Sequence, residues 1–337
     1  MSRVATIFFA YRVGLWIEPE AKFFRFLADV LNDTAFFLEL GTPYLGSLGK
    51  VIVLSVAEAL KALCGVAAGA SKAALSMHFA KHDNLAELNA KEASQETAVG
   101  LVGLLAGSLI VKVVEDRWAV LALMVVLVFA HLYMNYLGVR AVCMRNFNRQ
   151  RAMIFFYEYA RTGTILSPEQ VAQRETLSYV QPIARNSLGV PVARIEMAES
   201  YFDAARGYGE LFAARGPMFT RLAHVTGDDL ADIKILAHYG ATPQHILGAW
   251  FAAMSYAWRH DWERGSNIKD GPVRDGVKGN KDWAGTLSDV LCDEGKQEEQ
   301  ATFWAAVKEK GWNLDSQLLE MKAPVRVRLT QIARKMD

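Results

Sequence analysis

AVGLVGLLAGSLIVKVV, residues Ala98–Val114, is followed after the charged loop Glu115–Asp116–Arg117 by WAVLALMVVLVFAHLYMNYLG, residues Trp118–Gly138. The second run is about 20 residues long, enough for a helix to cross the roughly 30 Å of a hydrocarbon core. Its strongly polar members are His131 and Asn135, spaced i,i+4 on one helical face. The first run carries Gly100, Gly103 and Gly107 on one face, a pattern that lets helices approach closely. The pair reads as a transmembrane hairpin. It sets the expected fold class as mainly α, with a polytopic helical membrane-embedded core.

Upstream, AKFFRFLADVLNDTAFFLEL (Ala21–Leu40) gathers Lys22, Arg25, Asp29, Asn32, Asp33 and Glu39 into about a third of the helical circumference. A narrow polar stripe on an otherwise apolar helix predicts charges turned toward a shared interior. Arg25 and Asp29, at i,i+4, can pair. Gly41 and Pro43 end the helix. From Leu48 to His82 the pattern is again helical, with Lys50, Glu58, Lys61, Gly65, Gly69, Lys72 and Ser76 on one face. Glu58 and Lys61 are spaced to neutralise one another, and Gly65–Gly69 forms a GxxxG step for close backbone approach. This stretch is too long for one straight span, so a break or a protruding end is expected.

Past Gly138 come Arg140, Arg145, Arg149 and Arg151 without an intervening acid. The positive-inside tendency places this end toward the cytoplasm or its equivalent, as a basic flank or a contact with lipid phosphates. The remainder has ordinary soluble composition. SPEQVAQRETLSYV predicts a helix capped by Ser167 with Pro168 at its first position. Leu188–Ile195 and Ala231–Tyr239 have strand character, and Thr242–Pro243 starts a strong helix. Together they predict a small α+β C-terminal domain. Glu263–Lys281 reads as an exposed loop, followed by helices near Trp283–Leu291 and Glu298–Lys308. The expected organisation is a helical core over 1–152, an α+β domain over 153–262, a polar loop over 263–282 and a short helical region over 283–337.

The chain has 337 residues, with 37 Lys+Arg against 36 Asp+Glu, so no bulk charge draws nucleic acid. Its hydrophobic fraction is 52% and its mean hydropathy +0.11, with the excess concentrated before residue 138. Cys64, Cys143 and Cys292 are far apart and form no CxxC pair, which disfavours a disulfide framework or zinc site. MSRVATIFFAYRVGL has Arg3 and Arg12 and no acid, like a short targeting sequence, but it lacks a small-residue cleavage site.

AKFFRFLADVLND, GVAAGASKAALSMHFAKHDNLAELNAKEASQET, HLYMNYLGVRAV and NRQRA, in that order between Ala21 and Ala152, resemble the core of the root UVB sensitive (RUS) family. LGVPVA, the GAT before Pro243 and Gly311–Trp312 fit the resemblance more loosely. Family members carry a further upstream stretch with a YQxWDxxQ-like motif, so the chain resembles a member shortened at its N-terminus. The resemblance implies a link to UV-B responses, seedling development and vitamin B6 homeostasis, with members working in complexes. It implies no catalytic mechanism, so no catalytic residue is transferred.

The candidate polar intramembrane cluster comprises Arg25, Asp29, Asn32, Asp33, Lys61, Lys72, His78, Lys91, Glu92, Gln95, Glu96, His131 and Asn135. Charged groups in or beside a membrane are costly unless paired or solvated, which makes them functional candidates. A cavity lined by Lys61, Lys72, Lys91, Glu92 and Glu96 would suit a small anionic or zwitterionic solute. The alternative is mutual ion pairing that only locks helices together. His78 and His82, with Asp83 and Glu87 nearby, lack an HExxH arrangement or a fixed third ligand, so no metal is assigned. Gly41–Ser47 lacks the P-loop lysine, no GxGxxG or GxSxG occurs, and no cofactor is assigned.

Two functions follow. The first is an integral membrane scaffold or partner subunit, meeting membrane lipid and another RUS-like protein or a second copy. The second is a carrier for a small charged metabolite such as a B6 vitamer. With no nucleophile–base pair or metal triad, an enzyme is not expected.

Overall fold

The computed structural model describes residues 2–81, 84–114, 116–177, 183–185, 191–205, 212–216, 218–225, 230–263, 283–320 and 325–328. They form two compact units, Met1–Val142 and Cys143–Asp337. The Glu263–Lys281 loop beyond residue 263, the tail beyond 328, and His82 and Asp83 lie outside the described residues.

The first unit is helical: α1 (Ser2–Ile17), α2 (Ala21–Leu40), α3 (Ser47–Phe79), α4 (Leu85–Val113) and α5 (Arg117–Ala141). A short 3-10 turn at Thr42–Tyr44, with Pro43 inside it, separates α2 from α3. These two helices pack most extensively, with Ala28, Ala35, Ala57 and Ala67 fully buried. Small side chains bring the backbones together there. Trp16, Ile17, Phe24 and Cys64 extend this core, and α1 joins it through Phe9 and Val13.

The structure decides between the two alternatives expected for the long apolar stretch. α3 runs unbroken for 33 residues, about 50 Å at 1.5 Å per residue. It has no break and exceeds the thickness of a hydrocarbon core by about 20 Å, the protruding end of the two alternatives. The close approach of α2 and α3 falls on the alanines, and Gly65 and Gly69 have open space where a Cβ would stand. Among the described residues three helices, α3, α4 and Trp118–Ala141 of α5, are long and apolar enough to cross a membrane. None of the residues of α4 is buried.

The second unit begins with β1 (Phe147–Asn148), α6 (Arg149–Thr162) and α7 (Pro168–Arg174). It continues with β2 (Ile183–Arg185), β3 (Pro191–Met197), α8 (Tyr201–Ala205), β4 (Phe212–Gly216), β5 (Phe219–Val225) and β6 (Ala231–His238). α9 (Pro243–Glu263), α10 (Trp283–Cys292), α11 (Gln297–Glu309), β7 (Gln317–Leu318) and β8 (Arg326–Val327) complete it. The main sheet has the order β2-β3-β6-β5-β4, with β8 also paired to β6. β3 and β8 run parallel to β6, whereas β5 is antiparallel to it.

Local chemistry sets the boundaries. Ser167 accepts from the Gln170 backbone N–H while the Gln170 side chain accepts from the Ser167 N–H, closing a capping box on α7. Gly240 turns β6 toward α9 at φ 89°, a left-handed conformation that favours glycine. The core is aromatic: Phe147 stacks on Trp312 at 3.9 Å, and Phe155 on Phe251 at 5.5 Å. The Trp312 indole N–H donates to the Leu166 carbonyl at 2.8 Å. Trp250 and Trp258 of α9 are buried in this core.

The basic flank expected past Gly138 is corrected in part. Arg151 is only 2% exposed, with Nη1 donating to Glu175 at 2.8 Å and Nε to the Asn146 carbonyl at 2.7 Å. Arg149 is buried too, with its guanidinium 5.6 Å from the Trp250 ring centroid. Both belong to the second unit, which begins ten residues before the expected boundary at 152. Glu175, 24 residues downstream, compensates a charge that has no acid near it in sequence.

At the start of α9, His245 Nδ1 accepts from the Thr242 backbone N–H at 3.1 Å, and burial lowers the imidazole's proton affinity. Its folded pKa lies below the ordinary value of 6.5. The unfolded chain therefore binds the proton more readily, and this contribution to stability is present above about pH 6.5 and lost as pH falls through the lower folded value. Acid titration of the melting temperature, followed by tryptophan fluorescence, should fall more steeply below pH 6.5 for the native chain than for His245→Gln. Equal slopes would remove the assignment.

Candidate functional site

The polar stripe of α2 is turned inward. Lys22, Asp29 and Asp33 are buried, while Phe36 and Phe37 on the same helix are exposed. Buried carboxylates among apolar helices need cationic or hydrogen-bonding partners. Asp29 Oδ1 accepts from Arg25 Nη1 at 2.6 Å, one turn earlier. Asp33 Oδ2 lies 2.8 Å from His131 Nδ1 on α5. This contact ties α5 to α2 across 98 residues of sequence. Asn32 and Asn135 are half-buried on the same two helices.

A second polar group forms where α3 meets the first half of α4. Lys72 Nζ is 2.8 Å from Glu96 and 3.4 Å from Glu92. Lys91 pairs with Glu87 one turn away at 2.5 Å. Beside them lies a cavity of about 580 Å³, lined by the polar side chains Arg25, Lys72, Lys91, Glu92, Gln95 and Glu96. Leu75, Phe79 and Leu88 supply apolar wall. This volume falls within the roughly 300–1,000 Å³ typical of small-molecule sites. Three cations and two carboxylates line it, and two further carboxylates, Asp29 and Glu87, pair with Arg25 and Lys91, so cationic and anionic groups meet at one wall.

Of the expected cluster, six residues meet at this cavity: Arg25, Lys72, Lys91, Glu92, Gln95 and Glu96. Beside it stand two separate pairs, Arg25 with the buried Asp29 and the exposed His131 with the buried Asp33. Lys61 stands apart, bonded to Glu39 at 2.5 Å and to Glu58 at 3.7 Å. It shares a helical face with Lys72 but lies eleven residues, about 16 Å, away along α3. His78 packs its ring against Phe79 at 5.1 Å near the end of α3. No group of metal ligands occurs among the described residues. The apolar wall escaped sequence reading, because Leu75, Phe79 and Leu88 look like ordinary lipid- or core-facing residues until α4 folds back.

Residues 1–163 match the family model described as the vitamin B6 photo-protection and homoeostasis domain. RUS family member 1 of Dictyostelium discoideum is 36% identical over 183 residues, covering 53% of this chain and 35% of that protein. Protein root UVB sensitive 3 of Arabidopsis thaliana is 28% identical over 263 residues, 74% of this chain and 58% of that protein. Root UVB sensitive 2, chloroplastic, also of Arabidopsis thaliana, is 28% identical over 186 residues, 54% of this chain and 42% of that protein. The chain thus spans less than two thirds of the length of each of these relatives. No solved structure matches it.

The Asp33–His131 contact is asymmetric, with Asp33 buried and His131 44% exposed at its side chain. Removing the imidazole leaves a buried carboxylate without its partner, at a cost on the order of 1–3 kcal/mol. Removing the carboxylate leaves only a partly solvated imidazole. In detergent melts, His131→Ala should therefore destabilise the chain more than Asp33→Ala; the reverse order would contradict this account.

Proposed function

Because its first 163 residues and its relatives make this chain a root UVB sensitive family protein, we propose that it acts in vitamin B6 homeostasis by binding a small charged metabolite in the α3–α4 cavity. The family-level role rests on the matched domain. The observation that carries the finer reading is the convergence of Arg25, Lys72 and Lys91 on one cavity with an apolar wall. A phosphorylated B6 vitamer combines a phosphate anion with a flat aromatic ring. Arginine and lysine would hold the anion, and Leu75, Phe79 and Leu88 would cover the ring.

The proposed setting is a membrane. Val99, Leu101, Val102, Leu104, Leu105 and Leu109 of α4 are each at least 60% exposed. At roughly 1.5–3 kcal/mol for each large apolar side chain, leaving six in water forgoes roughly 9–18 kcal/mol. That is comparable to the whole stability of a typical domain, roughly 5–15 kcal/mol. Lipid removes this deficit, and the internally bonded helix backbone needs no water. A site at such helices is suited to a carrier.

The test has two stages. Alkaline carbonate extraction should leave the tagged chain in the membrane pellet. In liposomes, the chain should take up pyridoxine 5′-phosphate, and neutralising Lys72, Lys91 and Glu96 together should reduce uptake at least about tenfold, since each lost charged contact is worth roughly 1.5–3 kcal/mol. Uptake unchanged by the triple substitution would sink the carrier reading.

A second reading, scaffold or partner subunit, is favoured by the glycine face of α4. Gly100, Gly103 and Gly107 all have open space where a side chain would stand. Such a face accepts another helix, from a second copy or another RUS-like protein. Under this reading, differently tagged copies or a co-expressed relative co-purify, and Gly103→Leu abolishes the association. Recovery of detergent and lipid alone would count against it.

A further inference from the structure

We propose that binding of an anion in the α3–α4 cavity is coupled to uptake of one proton by Asp29. This rests on the reading of the cavity as an anion site. The observation behind it is that Arg25 serves two places at once. Its side chain lines the cavity, and its Nη1 bonds Asp29 Oδ1 at 2.6 Å. Asp29 itself does not line the cavity. The residue is 8% exposed, and its Oδ2 is buried without a hydrogen-bond partner.

The surroundings of Asp29 leave Arg25 as its compensating charge. On α2, Asp33 lies one turn further along and is engaged by His131 of α5. Lys22 lies two turns back, about 10 Å along the axis. From α3 the ionisable neighbour is Cys64, which feels the charges of Arg25, Asp29 and Asp33. α1 contributes Phe9, Val13, Trp16 and Ile17 to the packing here, none of them charged. Lys72 and Lys91 face the cavity and bond Glu92, Glu96 and Glu87, not Asp29.

An anion arriving at the guanidinium neutralises the cation that offsets Asp29. The carboxylate is then buried with one oxygen unpaired and the other sharing its donor with a second negative charge. A buried charge in this position lowers its free energy by accepting a proton from solvent. Protonated Asp29 can also donate from an oxygen that otherwise has no partner. The result is that the anion and the proton bind together, and the bound complex gains one positive charge relative to uncoupled anion binding. That is the stoichiometry of a proton-coupled anion site.

Isothermal titration of the full chain in detergent with pyridoxine 5′-phosphate tests this, using buffers of different ionisation enthalpy at pH 7.5. This ester lacks the aldehyde that would condense with lysine. The native chain should take up about one more proton per ligand than Asp29→Asn, an isosteric change that removes the titrating group. Its Kd should also tighten about tenfold more per unit fall in pH between 8 and 7 than that of the variant. Should Asp29→Asn fail to fold, Arg25→Gln serves in its place and is expected to bind more weakly and without the extra proton. Binding with equal proton uptake in native chain and variant overturns the coupling and leaves the cavity reading standing. Absence of binding to the native chain overturns the cavity reading and the coupling together.

Discussion

A carboxylate placed between apolar helices must find a cation or a proton, and α2 places two of them one turn apart. Asp29 and Asp33 are both buried on the face that meets α3 and α5. Each has a different partner, Arg25 from its own helix and His131 from α5. The alanines that close the α2–α3 contact supply proximity but little specificity, since any small residue would permit the same approach. The polar contacts supply the register. Sliding α5 along α2 by one turn would take His131 past Asp33 and leave a buried carboxylate unsatisfied. Helix order in this unit thus follows from compensating the α2 stripe.

Much of this was legible in the sequence because helical periodicity survives without knowledge of partners. The narrow arc containing Lys22, Arg25, Asp29 and Asp33 marks an inward polar face, and the Arg25–Asp29 spacing fixes their bond. The apolar runs of α4 and α5, the capped start of α7 and the strand–turn–helix around Gly240 are likewise local signals. What periodicity could not supply is distance along a face or partnership between elements. Lys61 and Lys72 share a face, yet only Lys72 reaches α4, while Lys61 meets Glu39 at the end of α2. The Asp33–His131 contact joins residues 98 positions apart. No spacing rule selects that pair from the other polar residues of the two helices.

The arginines after Gly138 show the opposite failure, in which a local rule was followed too far. A run of bases without acids is an ordinary membrane flank when the chain remains at the surface. Here the chain enters an aromatic core within a few residues, beginning at Phe147. Arg149 then lies against Trp250, and Arg151 is enclosed by Asn146 and Glu175. The planar, multiply donating guanidinium can be satisfied in such a place, whereas a lysine would leave several acceptors unserved. Composition measured over a short window cannot distinguish a solvated base from one whose acid arrives 24 residues later.

The two polar networks of the first unit meet in a single side chain. Lys72 with Glu92 and Glu96 locks α3 to α4, while Arg25 lines the same cavity and bonds Asp29. Each of the three cations of the wall has a carboxylate partner: Lys72 has Glu92 and Glu96, Lys91 has Glu87, and Arg25 has Asp29. The partner of Arg25, Asp29, is buried in the α2 packing and does not line the cavity. An arrangement that keeps the counter-charge behind the cation leaves its outer edge available to an incoming anion. The same arrangement passes the consequence of that arrival inward, toward the helix interface on which the unit's register depends.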